Sequence, residues 1–414
     1  MKRALVLSGG GSRGAYECGA WQALQEMNIR IDAVYGTSIG AMNAALVAQG
    51  DLEVALKLWE NIRVDQIVSL EEGEEFSVER MVSRKRDLIP FLLENAKSFL
   101  MDVTPMEKLM RETIDEGRVR ASGMDLGVMI TRVPQLTGLE ARLDGIPQGM
   151  LHEYLLASAA CFPIFPLRQI GGERLMDGGY VDNLPLGMAI ADGAEEIVAI
   201  DIHPQPVHPE YGGMPFLKLV HPLHELCAFL DFNPGPLRRS RLLGYHDTLK
   251  AYGRLDGVRY SFARVNELRV APLARRYALR VANFDARCGA RGGDAALTGA
   301  LTAETPLRRL SWKDALLRGL ELCAQVMGFR EDAIYDMDVL TSRLLTYVRG
   351  GDAGEVPGER EIAEAARQSG RALVRCLCTG MRRDPTFAAR HARRLADYPM
   401  ETAAALYLRC AEEG

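Results

Sequence analysis

Two glycine-rich turns lie within the first fifty residues, SGGGSRG at 8–14 and GTSIG at 36–40. Each follows a short apolar run, at 4–7 and 31–35, and each opens a stretch with helical spacing. A strand that ends in a tight glycine turn and starts a helix is an α/β building block. Two of them back to back commit this part of the chain to a mostly parallel or mixed sheet. Apolar runs at 126–131 and 197–202 add strands, and helical spacing at 51–62, 152–160 and 185–192 supplies helices for both faces. The expected fold class is a three-layer α/β sandwich, with a separate helical region towards the C-terminal end.

The first turn, Gly9, Gly10, Gly11, Ser12, Arg13 and Gly14, fits G-x-G-x-x-G. Such a turn presents backbone N–H groups at a helix start and suits an anion. A dinucleotide site also needs an acidic residue at the end of the next strand. Asp32 stands at that strand's start, and the strand's end is followed at once by Thr37 and Ser38. The acid is in the wrong place and a serine occupies the turn. Gly36-Thr37-Ser38-Ile39-Gly40 fits G-x-S-x-G, where serine sits on a sharp strand-to-helix turn. Gly36 and Gly40 flank it because the turn leaves no room for a Cβ. Simple capping of the helix by Ser38 or Thr37 is the structural alternative. A nucleophilic serine needs a base and an oxyanion hole. If the two strands are parallel neighbours, both turns share one sheet edge, and the N–H groups of Gly10 and Gly11 can receive the oxyanion.

The base is the harder assignment. His203, His208, His221, His224 and His246 lie in or after a Pro-rich stretch, His152 opens a helix, and His391 sits in RHARR. Loop or surface positions are expected for them. His224-Glu225 lacks the second histidine of H-E-x-x-H, since residue 228 is alanine, so no metal site is expected. Asp177, in LMDGG at 175–179, ends a short apolar strand ahead of two glycines, where a side chain is presented at a turn. A plain turn is the bland alternative. Asp182 and Asp201 are local rivals, the first placed to cap the helix near Pro185, the second inside a buried strand pattern.

Taken in order, these motifs resemble the patatin-like phospholipase family. The resemblance rests on the glycine box (Gly9, Gly10, Gly11, Arg13, Gly14), the elbow at Gly36, Ser38 and Gly40, and the Asp-Gly-Gly turn at Asp177. ASAACFPIFPL at 157–167 is similar to the family's stretch ahead of that aspartate. One position departs: Phe162 stands where the family has proline, and Pro163 follows one place later. The resemblance covers about residues 1–205. It implies a patatin-like sandwich and a Ser38–Asp177 dyad that needs no histidine, metal or cofactor. Such a dyad hydrolyses the carboxylic esters of phospholipids or other acyl lipids through an acyl-Ser38 intermediate. Acyl transfer or thioester cleavage by the same dyad, and a non-catalytic protein that keeps the fold, stay open as alternatives.

At 414 residues the chain exceeds the usual single core. The expected division is a catalytic domain at 1–285, a linker at 286–306 and a helical region at 307–414, with 257–284 read as strands. A net charge of −5 gives no global pull on nucleic acid. Eight scattered cysteines without a C-x-x-C pair point to free thiols in a reducing, cytoplasmic compartment. The run at 4–7 is too short for a signal segment, and no apolar run reaches the roughly 20 residues of a membrane span. Any membrane contact is therefore expected to be peripheral. The apolar stretch at 91–101 is a candidate cap over the site or an internal helix. The basic clusters Arg238, Arg239, Arg241 and Arg390, Arg393, Arg394 are candidate lipid-phosphate contacts or solvated faces. An acyl lipid is the expected partner, and the oligomeric state is left open.

Overall fold

A computed structural model describes residues 2–69, 100–289, 295–304, 310–350 and 356–413. Most of the apolar stretch expected at 91–101 lies outside them. The chain divides into two compact units, Met1–Ala251 and Tyr252–Gly414.

The first unit alternates strands and helices. Its elements are β1 (Arg3–Leu7), α1 (Gly14–Glu26), β2 (Ala33–Thr37), α2 (Ile39–Gln49), α3 (Leu52–Asn61), α4 (Thr104–Thr113) and α5 (Glu116–Ala121). After them come β3 (Asp125–Val133), β4 (Thr137–Arg142), α6 (Leu151–Ser158), β5 (Arg168–Ile170) and β6 (Glu173–Asp177). The unit ends with α7 (Leu186–Ala191), β7 (Glu196–Ile200), β8 (Leu217–Val220) and α8 (Pro234–Ala251).

The strands form an eight-stranded mixed sheet in the order β5-β6-β3-β2-β1-β7-β8, with β4 also on β3. The four central pairs, β3·β2, β2·β1, β1·β7 and β7·β8, are parallel. The expected neighbours β1 and β2 do pair in parallel, with Leu7 opposite Gly36, so both glycine turns leave the same sheet edge. β1 reads RALVL because both its faces are covered. Ala4 and Val6 belong to a core shared with Leu186, Met188 and Ala189 of α7. The alternate residues Leu5 and Leu7 are as fully buried on the opposite face.

β3 organises the other half of the sheet. β4 runs along one of its edges, from Gly127 opposite Arg142 to Arg132 opposite Thr137. Its other edge is divided. β2 takes the first part, ending with Thr37 opposite Met129, and β6 takes the rest, starting with Asp177 opposite Ile130. The C-terminal ends of β2 and β6 therefore meet at consecutive residues of β3.

α8 crosses α1 at glycines on both helices. A Cβ on Gly19 would lie 1.9 Å from the Arg241 carbonyl oxygen, and one on Gly244 would lie 2.0 Å from that of Tyr16. Backbone-to-backbone packing of this kind requires both glycines. The first turn of α8 is built from Pro234, Gly235 and Pro236.

The second unit is mainly helical, with its own buried core that includes Tyr277, Leu320, Leu377, Phe387 and Tyr407. It corrects two expectations. The segment read as strands is largely a helix, Glu267–Arg287. Short apolar alternations such as LRVAPL imitate a strand. The long-range spacing is helical, and Val270, Ala274, Tyr277, Val281 and Phe284 are the buried positions. Asn266 caps this helix by accepting from the Arg269 N–H. The expected linker contains a helix, Ala296–Thr302, whose first N–H groups at Leu297 and Thr298 donate to the Asp285 carboxylate, each at 3.0 Å. The two compact units meet in the sequence at 251/252.

The helix crossing gives a direct test. Gly244→Ala should cost about 1–3 kcal/mol through overpacking. Gly187→Ala, on an exposed turn of α7 where a Cβ meets nothing within 4 Å, should gain about 0.5–1 kcal/mol from the helix preference of alanine. Urea unfolding midpoints read both, and equal shifts for the two variants would contradict the tight crossing.

Candidate active site

Ser38 directly follows β2 and precedes α2, with φ 55° and ψ −123°. A side-chain-bearing residue pays about 1–3 kcal/mol to stay in such a conformation. The motif glycines make the turn possible. A Cβ on Gly36 would stand 2.3 Å from the Gly40 carbonyl oxygen, and one on Gly40 would stand 2.5 Å from that of Leu7. The Ser38 N–H donates to Ser158 Oγ at 2.8 Å, and the Ser158 hydroxyl donates to the Met129 carbonyl at 2.7 Å. The elbow is thereby tied to β3. Ser38 has no side-chain capping bond, so the capping alternative does not describe this turn.

Asp177 ends β6 and faces Ser38. The Ser38 hydroxyl donates to Asp177 Oδ2 at 2.7 Å, across 139 positions of sequence. The other carboxylate oxygen accepts from the Gly179 N–H at 2.8 Å. The Asp177 carbonyl accepts from Thr131 Oγ1 at 2.8 Å, which fixes the residue to β3 a second time. Gly178 must be glycine, since a Cβ there would lie 2.2 Å from the Met129 carbonyl oxygen. Both dyad members are buried, Ser38 at 7% and Asp177 at 6% exposure. Burial pushes the Asp177 carboxyl up to about 6, against the lowering effect of the bonds from Ser38 and Gly179.

The glycine box stands beside this pair. A Cβ on Gly9 would approach Ser38 Cβ to 3.0 Å. The Gly9 N–H donates to the Asn183 carbonyl at 3.1 Å, and Asn183 Nδ2 donates back to the Gly9 carbonyl at 3.2 Å. Gly11 has φ +62°, and a Cβ there would meet the Phe229 carbonyl oxygen at 2.1 Å. The next residues hold the loop down: the Ser12 N–H donates to that same Phe229 oxygen, and Arg13 Nε donates to the Cys227 carbonyl. Arg13 is thus a loop anchor. Gly14 lets α1 begin against α2, since a Cβ would stand 2.6 Å from Ile39 Cγ1. Among the described residues no hydrogen bond takes up the N–H of Gly10 or Gly11.

An apolar cavity opens at Ser38 and Gly11. Its walls come from α2, α3, α4 and the 159–165 loop, with Met42, Trp59, Met110 and Phe165 among the lining residues. Two polar residues in the wall are already satisfied. Asn43 donates to Gly14 O and Glu17 Oε2 and accepts from Trp59 Nε1, and Thr113 Oγ1 donates to Leu109 O.

The other candidates lie elsewhere. No histidine is hydrogen-bonded to Ser38 among the described residues. His224 is buried in a loop at 3% exposure, and His246 is buried on α8 at 4%, contrary to the loop or surface position expected for it. His203 Nδ1 lies 2.7 Å from Asp201 Oδ1, and its Nε2 lies 3.0 Å from Asn183 Nδ2. Asp182 accepts from the Leu184 N–H and pairs with His208. In the basic clusters Arg239 and Arg241 bond to Glu225 O and Gln22, while Arg390 and Arg394 pair with Asp384 and Asp397. All eight cysteines are free. No group of acidic, cysteine or histidine residues able to hold a metal occurs among the described residues, and no described helix is long and apolar enough to cross a membrane. Ser158, Thr131 and Asn183 were not foreseen. The only sequence signal for them is their closeness to motifs, ASAA for Ser158 and the Asp-Gly-Gly turn for Asn183.

Comparison with known proteins finds relatives of the N-terminal half of the chain. Residues 5–190 match the patatin-like phospholipase family. Patatin-like phospholipase domain-containing protein 7 of Rattus norvegicus is 27% identical over 205 residues, 48% of this chain and 13% of the relative. Lysophospholipase NTE1 of Mycosarcoma maydis is 26% identical over 204 residues, 49% of this chain and 10% of the relative. The match thus spans only a small part of these much longer proteins. The crystal structure of VipD from Legionella pneumophila aligns over 99% of this chain and 90% of its own at 15% identity, with a TM-score of 0.41, too low to argue a shared fold over that length. The glycine box, the elbow and the Asp-Gly-Gly turn all fall within residues 5–190, the part of the chain that is similar to the patatin-like phospholipase family.

Proposed function

We propose that the first unit is a serine hydrolase that cleaves carboxylic esters of acyl lipids, with Ser38 as nucleophile and Asp177 as its base. The observation that carries this reading is the buried 2.7 Å bond from Ser38 Oγ to Asp177 Oδ2 at the mouth of an apolar cavity. Asp177 takes the hydroxyl proton as Ser38 Oγ attacks the ester carbonyl. The oxyanion of the tetrahedral intermediate is received by the N–H groups of Gly10 and Gly11. Its collapse breaks the ester bond, and the departing alcohol takes the proton back from Asp177. A water molecule, giving its proton to Asp177, then attacks the acyl-Ser38 ester. The fatty acid leaves, and the proton returns to Ser38 Oγ.

Burial of Asp177 serves this cycle twice. A carboxyl raised to about 6 is a stronger base than an exposed aspartate, and it is still ionised at neutral pH. The apolar cavity offers the acyl chain a place out of water. One relative is named a lysophospholipase, so single-chain phospholipids are the first natural substrates to try, delivered from a lipid surface that the protein touches only peripherally.

Ester hydrolysis by the purified protein tests the dyad. Ser38→Ala should lower kcat/KM by roughly 10⁴-fold or more, and Asp177→Asn by about 10²–10⁴-fold. Full activity in either variant, or labelling of a residue other than Ser38 by a fluorophosphonate, would sink the assignment. In the wild type, kcat/KM should rise with pH through an apparent pKa near 6 and then level off.

Stability should move the opposite way with pH. The folded state holds the Asp177 proton up to about pH 6, whereas an unfolded aspartate releases it near pH ~3.9. The folded state therefore binds more protons across that window, and its stability falls as pH rises through it. Asp177→Asn removes this titration. The melting temperature of the variant should gain on that of the wild type between pH 4 and pH 7, roughly the window set by these two values. A constant difference across the window would contradict a raised Asp177.

A further inference from the structure

The cavity beside Ser38 follows one side of α2. Ile39, Met42 and Leu46 all line it, and steps of three and four residues place them in one row down the helix. Leu46 stands eight residues beyond Ser38, about 12 Å at ~1.5 Å of rise per residue. Thr113 and Ile114, from the end of α4, line the same cavity. One helical turn past Leu46 is the buried Gln49. Its Nε2 donates to the Thr113 carbonyl at 3.2 Å, and its Oε1 accepts from the Asp115 N–H at 2.7 Å. These two bonds stitch the end of α2 to the turn after α4. Leu46 and Ile114, at 1% and 3% exposure, line the cavity beside this stitch.

The wall chemistry selects the occupant. Asn43 and Thr113 spend their polar groups on other protein groups, so a headgroup or carboxylate inside would lose its water without replacement. An alkyl chain loses nothing of the kind. An extended chain of ~1.5 Å bonds at ~111° advances about 1.25 Å per carbon.

We propose that this cavity is a ruler for the acyl group on Ser38, with a floor at Leu46 and Ile114 that admits about eight to ten carbons. The proposal rests on the hydrolase reading and adds a substrate class to it: esters of medium-chain acids, or longer lipids whose chain cannot be fully buried. Each methylene up to the floor enters a dry wall and raises kcat/KM. Carbons beyond it have no wall to meet.

The test uses p-nitrophenyl esters from butanoyl to palmitoyl on the full chain. In the wild type kcat/KM should rise about three- to fourfold per methylene, then stop rising between octanoyl and decanoyl. Leu46→Phe should move that break about two to three carbons shorter. Met42→Trp, one turn nearer Ser38, should move it to about four or five carbons. The decanoyl-to-butanoyl ratio of kcat/KM is the readout, because the folded fraction of a preparation cancels in it. It should fall about 100-fold or more with Met42→Trp. A wild-type profile that climbs steadily to palmitoyl, or a ratio unchanged in both variants, overturns the ruler and leaves the hydrolase reading standing. Absence of turnover for every ester, or turnover that survives Ser38→Ala, overturns both.

Discussion

Two consecutive residues of β3 hold the halves of the site in register. Met129 pairs with Thr37, the last residue before Ser38, and Ile130 pairs with Asp177. Because β4 occupies the other edge, β2 and β6 can only meet end to end along β3. The Met129 carbonyl takes the Ser158 hydroxyl that supports the elbow, and it passes so close to Gly178 that only glycine fits. Thr131, the next residue, fixes the Asp177 carbonyl. Sheet pairing at a known rise per residue thus sets the Ser38–Asp177 distance, and neither side chain depends on a loop alone to find the other. The dyad bond contributes chemistry, and the ladder beneath it contributes the geometry.

A second set of constraints aligns the glycine box with that pair. Asn183 holds Gly9 from both its backbone carbonyl and its side chain, and it sits only six residues after Asp177. Its Oδ1 also occupies the space that a Cβ on Gly9 or Gly179 would need, at 2.5 and 2.7 Å. The glycine box and the Asp-Gly-Gly turn are therefore spaced by one amide. On its far side this amide meets His203, itself held by the fully buried Asp201. Two residues that looked like rival bases at the level of sequence belong to the scaffold that places the loop.

The parts that were readable in the sequence are those with local causes. Glycine spacing, an apolar run before it and helical spacing after it locate Ser38, ahead of the helix Ile39–Gln49. Asp177 is readable because it ends a strand before two glycines. The role of β3 is not readable, since nothing in LGVMIT tells which strands will lie along each edge. Ser158 is hidden for the same reason: its partners Ser38 and Met129 are 120 and 29 positions away. The helix Glu267–Arg287 was misread because a short window shows alternation while the full length shows a buried stripe at helical period. Where the cause of a structure was spread over many residues, short patterns pointed the wrong way.

The backbone of Ser38 has one more implication. Its positive φ is a conformation that glycine would occupy without strain, so the first unit as folded carries a cost at this one position. Selection for shape alone would remove it, since glycine here would make the same turn more stable. A strained serine whose hydroxyl is bonded to a buried carboxylate has no advantage for a protein that only holds its form. Under the proposed hydrolase reading, the strain at this position is a cost that the scaffold carries for its chemistry.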